Sequence, residues 1–135
     1  MNTKSRWEVY QGTANRTHRD GLRVTLSGRK ILMLNKAAFD ALGGPPAAEL
    51  RYDESTRTIG LFPRDIRIPN AFPIRRKSGG KVKKYNYMLI HASPFCKHHE
   101  INPTRTLLFT NVDLDNDGTL LLELNTAVNI GRGLR

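Results

Sequence analysis

Residues 87–99, YMLIHASPFCKHH, place His91, His98, His99 and the chain's one cysteine, Cys96, within nine positions. Cys96 and His99 stand three apart, a spacing that on a helix puts both on one face and can begin a zinc site, with His91 and Glu100 as further donors. A thiol beside an imidazole can equally begin a nucleophilic pair. A tetrahedral site needs three or four ligands, and the chain has no second Cys or His pair to complete one. A second stretch, DLDNDG at 113–118, has the spacing of the first half of a calcium loop. Such a loop requires an acid at its twelfth position, which here is Leu124, with Glu123 one residue short. Asn116, Asp117 and Gly118 suit a tight hairpin turn instead. The sequence has no G-x-S-x-G, no phosphate-binding glycine loop and no paired carboxylates in an apolar setting. The expectation is a protein that is not an enzyme and holds no cofactor and no metal.

The elements that carry these residues read as follows. LRVTL alternates with a period of two, placing Leu22, Val24 and Leu26 on one face of a strand. SGRK turns, and ILML is a second strand, apolar on both faces and expected to be buried. Asn35 can cap a helix of about two turns over NKAAFDAL, which Gly43, Gly44, Pro45 and Pro46 end. AELRYDESTRTIGLFP is a closing hairpin that brings in Leu50, Tyr52, Ile59 and Leu61. After the connector RDIRIPN the pattern starts again: AFPIRR and KYNYMLI as a hairpin around KSGGKVK, a short helix at ASPFCKHHEI, then RTLLFTNV and TLLLEL around DLDNDG. Shifted by 56 positions, ILMLNKAAF (31–39) lies over YMLIHASPF (87–95), with Asn35 on His91 and Phe39 on Phe95. The sequence therefore predicts a mainly β fold with two short helices, built from duplicated ββαββ units. In this reading 1–21 is a basic arm, 22–125 a single domain of two repeats (22–63 and 72–125), and 126–135 a basic tail. HASPFCKHH becomes the second short helix, with Ser93 as its cap, Pro94 at the first helical position and Phe95 as its core anchor.

Charge points to partners rather than fold. The chain has 135 residues, 22 Lys and Arg against 12 Asp and Glu, and a formal net charge of +10. Such an excess favours polyanions. No apolar run reaches the roughly 20 residues of a membrane span, no signal-peptide core opens the sequence, and one cysteine forms no internal disulfide. A cytoplasmic setting is expected, with no membrane partner. From Arg64 to Lys84 there are eight basic residues (Arg64, Arg67, Arg75, Arg76, Lys77, Lys81, Lys83, Lys84) against Asp65 alone. A glycine-tipped basic ribbon with tyrosines at its base can follow a phosphate backbone or enter a groove. The first hairpin offers Arg23, Arg29 and Lys30. A solvated loop that only keeps the protein soluble is the plainer alternative.

The segment RVTLSGRKILMLNKAAFDALGGPPAAELRYDESTRTIGLFP resembles the SpoVT–AbrB family of swapped-hairpin DNA-binding domains. Val24, Thr25 and Gly28, then Ala41, Leu42, Gly43 and Pro45, then Ile59, Leu61 and Pro63 carry the resemblance; the second repeat follows it only in the order of elements. The resemblance implies a β-barrel of two interlocking units, here both in one chain, and duplex DNA binding through hairpin arginines in a regulator of transcription. Asn35 and Phe39 stand where that family commonly has proline and arginine, so individual contacts do not carry over beyond the matching hairpin. The expected nucleic-acid contacts are Arg23, Arg29, Lys30, Arg75, Arg76, Lys77, Lys81, Lys83 and Lys84. Two other functions compete: an interaction or inhibitor module docking on an acidic protein, and a binder of single-stranded DNA or RNA that stacks bases on Trp7, Tyr85 or Tyr87. A monomeric pseudo-dimer or a higher oligomer fits either outcome.

Overall fold

The computed structural model of the chain describes residues 21–76 and 87–131. It is mainly β, with two short helices. Strands β1 (Val24–Leu26) and β2 (Ile31–Leu34) form the first hairpin, closed by the turn Ser27–Lys30. Lys30 occupies the left-handed position of that turn at φ 66°, a conformation that ordinarily favours glycine. Helix α1 (Lys36–Ala41) follows directly. Asn35 works twice here: its Oδ1 accepts from the Ala38 N–H at 2.9 Å, capping the helix, and from the Arg23 N–H at 3.1 Å, tying the helix start to the first strand. Gly43, at φ 90°, donates back to Asp40 O and ends the helix as its sequence implies.

Strands β3 (Ala47–Asp53) and β4 (Thr58–Arg64) make the second hairpin. Then β5 (Ala71–Pro73) pairs back on β3, and β6 (Arg75–Arg76) pairs with β7 (Met88–His91). Helix α2 (Ser93–His98) comes next, then β8 (Leu107–Leu108), β9 (Val112–Leu114), β10 (Leu120–Glu123) and β11 (Val128–Asn129). The strands assemble into two sheets, a five-stranded one ordered β9-β10-β4-β3-β5 and a six-stranded one ordered β11-β8-β1-β2-β7-β6. Among the described residues neither sheet closes on itself and no ladder joins them, so they form two open sheets and not the closed barrel expected. Their inner faces meet in one core: Val24, Leu26, Leu32, Leu34 and Ile90 from one sheet, Ile59, Leu61, Leu120 and Leu122 from the other. Phe95 and Cys96 of α2 and Ala38 of α1 close it. Among the described residues no helix is long and apolar enough to cross a membrane.

Several expected elements divide differently. AFPIRR is two strands in different sheets, because Ile74 turns inward and donates to Pro46 O. RTLLFTNV likewise splits: Leu107–Leu108 joins the six-stranded sheet and Val112 starts the other. Helix α2 begins at Ser93, with Ala92 at the cap position and no side-chain cap bond, so Ser93 is inside the helix and not its cap. The supposed tail contains β11, paired on β8. ILML is buried on one face only: Leu32 and Leu34 point inward, Ile31 and Met33 outward.

Two registers recur at the centre of the sheets. β2 pairs with β7 about Met33↔Leu89, and β4 with β10 about Gly60↔Leu121. Met33 and Leu89 are the same position under the 56-residue shift. Gly60 and Leu121 are the same position when TIGLF (58–62) is laid over TLLLE (119–123).

Leu61 is fully buried in the centre of the five-stranded sheet. Leu61→Ala is expected to cost about 2–5 kcal/mol through lost burial and the cavity left behind. Arg57 stands at φ 53° in an exposed turn, and Arg57→Gly should be neutral or stabilise by up to about 1 kcal/mol. Chemical denaturation of the two variants checks both signs.

Candidate nucleic-acid interface

Alternation along the strands of the six-stranded sheet sends every second side chain outward. The cross-strand partners fix which ones share that outer face: Thr25, Met33, Leu89 and Arg75 lie in one row, with Leu108 opposite Thr25. Arg23, Thr25, Ser27, Arg29, Ile31, Met33, Tyr87 and Leu89, with Thr106 and Ile130, line an open groove of about 540 Å³ on this face. Its floor is apolar. Arg23 lies at the Asn35 end of the β1–β2 hairpin and Arg29 at the turn end, so the two guanidiniums bracket the floor. The Arg29 N–H and the Ile31 N–H both donate to Ser27 Oγ, at 3.2 and 3.3 Å, which fixes the turn carrying Arg29.

Electrostatics separates the two sheets. Glu49, Asp53, Glu54, Asp113, Asp115, Asp117 and Glu123 all lie in the five-stranded sheet or its hairpin turns; the strands of the six-stranded sheet contain no acid. On the five-stranded sheet Arg51 and Arg64 meet two carboxylates, Glu49 and, for Arg51, Asp117 at 3.9 Å, while Arg57 in the hairpin turn is in no ion pair among the described residues. Arg51 and Arg64 both bond Glu49, at 2.8 and 2.9 Å, and both stack on Phe62, at 4.4 and 4.9 Å from the ring centre. Arg51, then Arg64, hold the Glu49 carboxyl below its ordinary value. Arg67 pairs with Asp65 at 2.8 Å. On the six-stranded sheet, Arg23, Arg29 and Arg75 have no carboxylate within ion-pair reach among the described residues.

The expected contact residues therefore divide. Arg23, Arg29 and Arg75 come together on one sheet face. Lys30 does not join them: the left-handed turn carries it toward α2, where its charge acts on Cys96. Arg76 pairs with Met88, whose side chain packs on the core, so it lies on the opposite face of its strand from Arg75. Lys77, Lys81, Lys83 and Lys84 lie outside the described residues, as do Trp7 and Tyr85. Arg64 and Arg67, part of the basic run, are neutralised by their ion pairs. The floor residues Thr25, Ile31, Met33, Leu89 and Ile130 were not anticipated as a site. Their signal was present in ILML and YMLI, strands apolar on both faces.

The residues that invited a metal are used otherwise. Among the described residues no group of three or more His, Cys, Asp or Glu side chains is placed to hold a metal ion. His99 packs on Tyr52 and Phe95, each 4.8 Å between ring centres, while Cys96 is 1% exposed. In DLDNDG, Asp115 accepts from the Asn116 N–H and Asp117 from the Thr119 N–H, and Gly118 at φ 91° completes the turn. Compared with known protein families, curated proteins and solved structures, the chain matches none.

Burial pushes the Cys96 thiol above its ordinary value, and nearby Lys30 only partly opposes that. Native Cys96 should resist a thiol reagent at neutral pH and react fully in denaturant. Rapid native labelling would show that α2 opens readily.

Proposed function

We propose that this chain is a nucleic-acid-binding protein that engages phosphates with the outer face of its six-stranded sheet. One observation carries the reading: Arg23, Arg29 and Arg75 share the outer face of that sheet, whose strands hold no acid, and no ion pair among the described residues engages them. Residues 21–76 and 87–131 contain twelve Lys and Arg against ten Asp and Glu. Residues 1–20, 77–86 and 132–135 contain ten against two, and so hold +8 of the net +10. The described residues that border these three segments lie in the six-stranded sheet or next to its strands. Residue 21 sits against Asn35, whose Nδ2 donates to Gly21 O at 2.7 Å. Arg76 and Tyr87 flank the second segment at the same end, and Ile130, bonded to Thr106, precedes the third at the other. Three arginines on a sheet face, in no ion pair among the described residues, with basic sequence bordering the strands at both its ends, match an extended polyanion better than a compact anionic ligand.

The same proposal covers the architecture. The two central registers support a single chain holding two ββαββ units about a pseudo-twofold axis through Met33↔Leu89 and Gly60↔Leu121. Each unit then gives one hairpin to each sheet, the arrangement implied by the SpoVT–AbrB resemblance. The bond from Phe109 N–H to Val24 O and that from Ile74 N–H to Pro46 O fall at matching places in the two units. On this reading the protein is a non-enzymatic regulator or accessory factor that works in the cytoplasm.

Phosphate contacts set affinity and its salt dependence and do not read sequence. Arg23→Ser, Arg29→Ser and Arg75→Ser combined should flatten the slope of log affinity against log salt by about 0.7–0.9 per lost contact. Lys81→Ser, Lys83→Ser and Lys84→Ser should add to that, with the fold intact by thermal melt. An unchanged slope in both folded variants would remove the nucleic-acid reading and leave docking on an acidic protein as its successor.

A further inference from the structure

The floor between the arginines is the wrong chemistry for phosphate. Ile31, Met33 and Leu89 are only half-buried, Ile130 is 45% exposed and neighbouring Val128 is 46% exposed. Phosphate and sugar gain nothing from such a surface. A duplex presents backbone and base edges on its outside and keeps its base faces stacked within, so it too leaves this floor unsatisfied. An unpaired base has a flat apolar face to bury.

We infer that the groove takes unpaired bases, and that the ligand is single-stranded nucleic acid; this rests on the nucleic-acid reading above. Bases lie on Ile31, Met33 and Leu89, with the ring of Tyr87 as the aromatic wall. The hydroxyls of Thr25, Ser27 and Thr106 line the same groove and can meet base edges. Arg23 and Arg29 stand at its two ends, on either side of β1, with Arg23 about 13 Å from Ser27 at the start of the turn that carries Arg29, counted at strand rise. They are placed to hold the backbone as it enters and leaves. Charge complementarity selects this occupant over a second copy of the chain, because copies meeting through this face would set the arginines of one against those of the other, with no acid in the strands between them.

The test uses the full chain and a fluorescein-labelled mixed-sequence oligonucleotide, free and as a blunt duplex, read by anisotropy at two salt concentrations. The single strand should bind about tenfold or more tighter than the duplex. Tyr87→Ala should weaken single-strand binding about tenfold while changing duplex binding little, whereas Met33→Glu puts a negative charge between the arginines and should weaken both. Met33→Gln, uncharged and similar in shape, should weaken single-strand binding and leave duplex binding little changed, which separates lost base contact from simple repulsion. Duplex binding as tight as single-strand binding, with Tyr87→Ala and Met33→Gln indifferent, would overturn this inference and leave the nucleic-acid reading standing. Failure of both probes to bind at low salt would remove both. A concentration-dependent dimer abolished by Met33→Gln, with no response to either probe, would assign the face to a second copy.

Discussion

Two antiparallel ladders, β2 with β7 and β4 with β10, hold the middle of both sheets, and the rest of the molecule is arranged around them. Each joins a hairpin from the first half of the chain to one from the second. The inward side chains on these strands, Leu32, Leu34 and Ile90 on one sheet and Ile59, Leu61, Leu120 and Leu122 on the other, are all fully buried. A slip of one residue in either ladder would turn the inward side chains of the slipped strand outward. Register is therefore over-determined by burial. At the centre of the five-stranded sheet, a β-carbon on Gly60 would come within 3.0 Å of Thr119 Cγ2, so the close approach there depends on its absence.

The same alternation that fills the core sets the character of the two outer faces. On the five-stranded sheet the outward positions of β3 and β4 hold Glu49, Arg51, Phe62 and Arg64, and these satisfy one another. Paired charges on an exposed surface add little stability. They do leave that face with few unmet demands. On the six-stranded sheet the outward positions hold Ile31, Met33 and Leu89 between arginines that meet no acid among the described residues. One side of the protein is closed chemically and the other is open.

Local signals in the sequence identified most elements and few of their partners. The period-two pattern of LRVTL, the Asn35 cap and the Gly43 terminator are local, and each appears where expected. A period of two states which side chains share a face, but not which sheet a strand joins. AFPIRR and RTLLFTNV each read as one strand because nothing in their pattern marks Ile74 or Phe109 as a crossing point. The candidate site was legible in part for the same reason. Arg23 and Arg29 were found from hairpin position, and Arg75 from charge density. Lys30 was misplaced because its backbone adopts a left-handed conformation that sequence assigns to glycine. Arg64 and Arg67 counted as free charge until their partners Glu49 and Asp65 were seen. The floor was overlooked because a strand apolar on both faces looks like buried structure.

The crossing at Ile74 couples the two sheets mechanically. β5 ends at Pro73 on one sheet and β6 begins at Arg75 on the other, with a single buried residue between them. One residue of chain spans at most about 3.6 Å and has no slack to give. Traction applied at Arg75 is thus delivered to the ladder between β5 and β3, and from there to the paired charges around Glu49. The protein's two faces, so different in chemistry, are linked by a tether too short to let one move without the other.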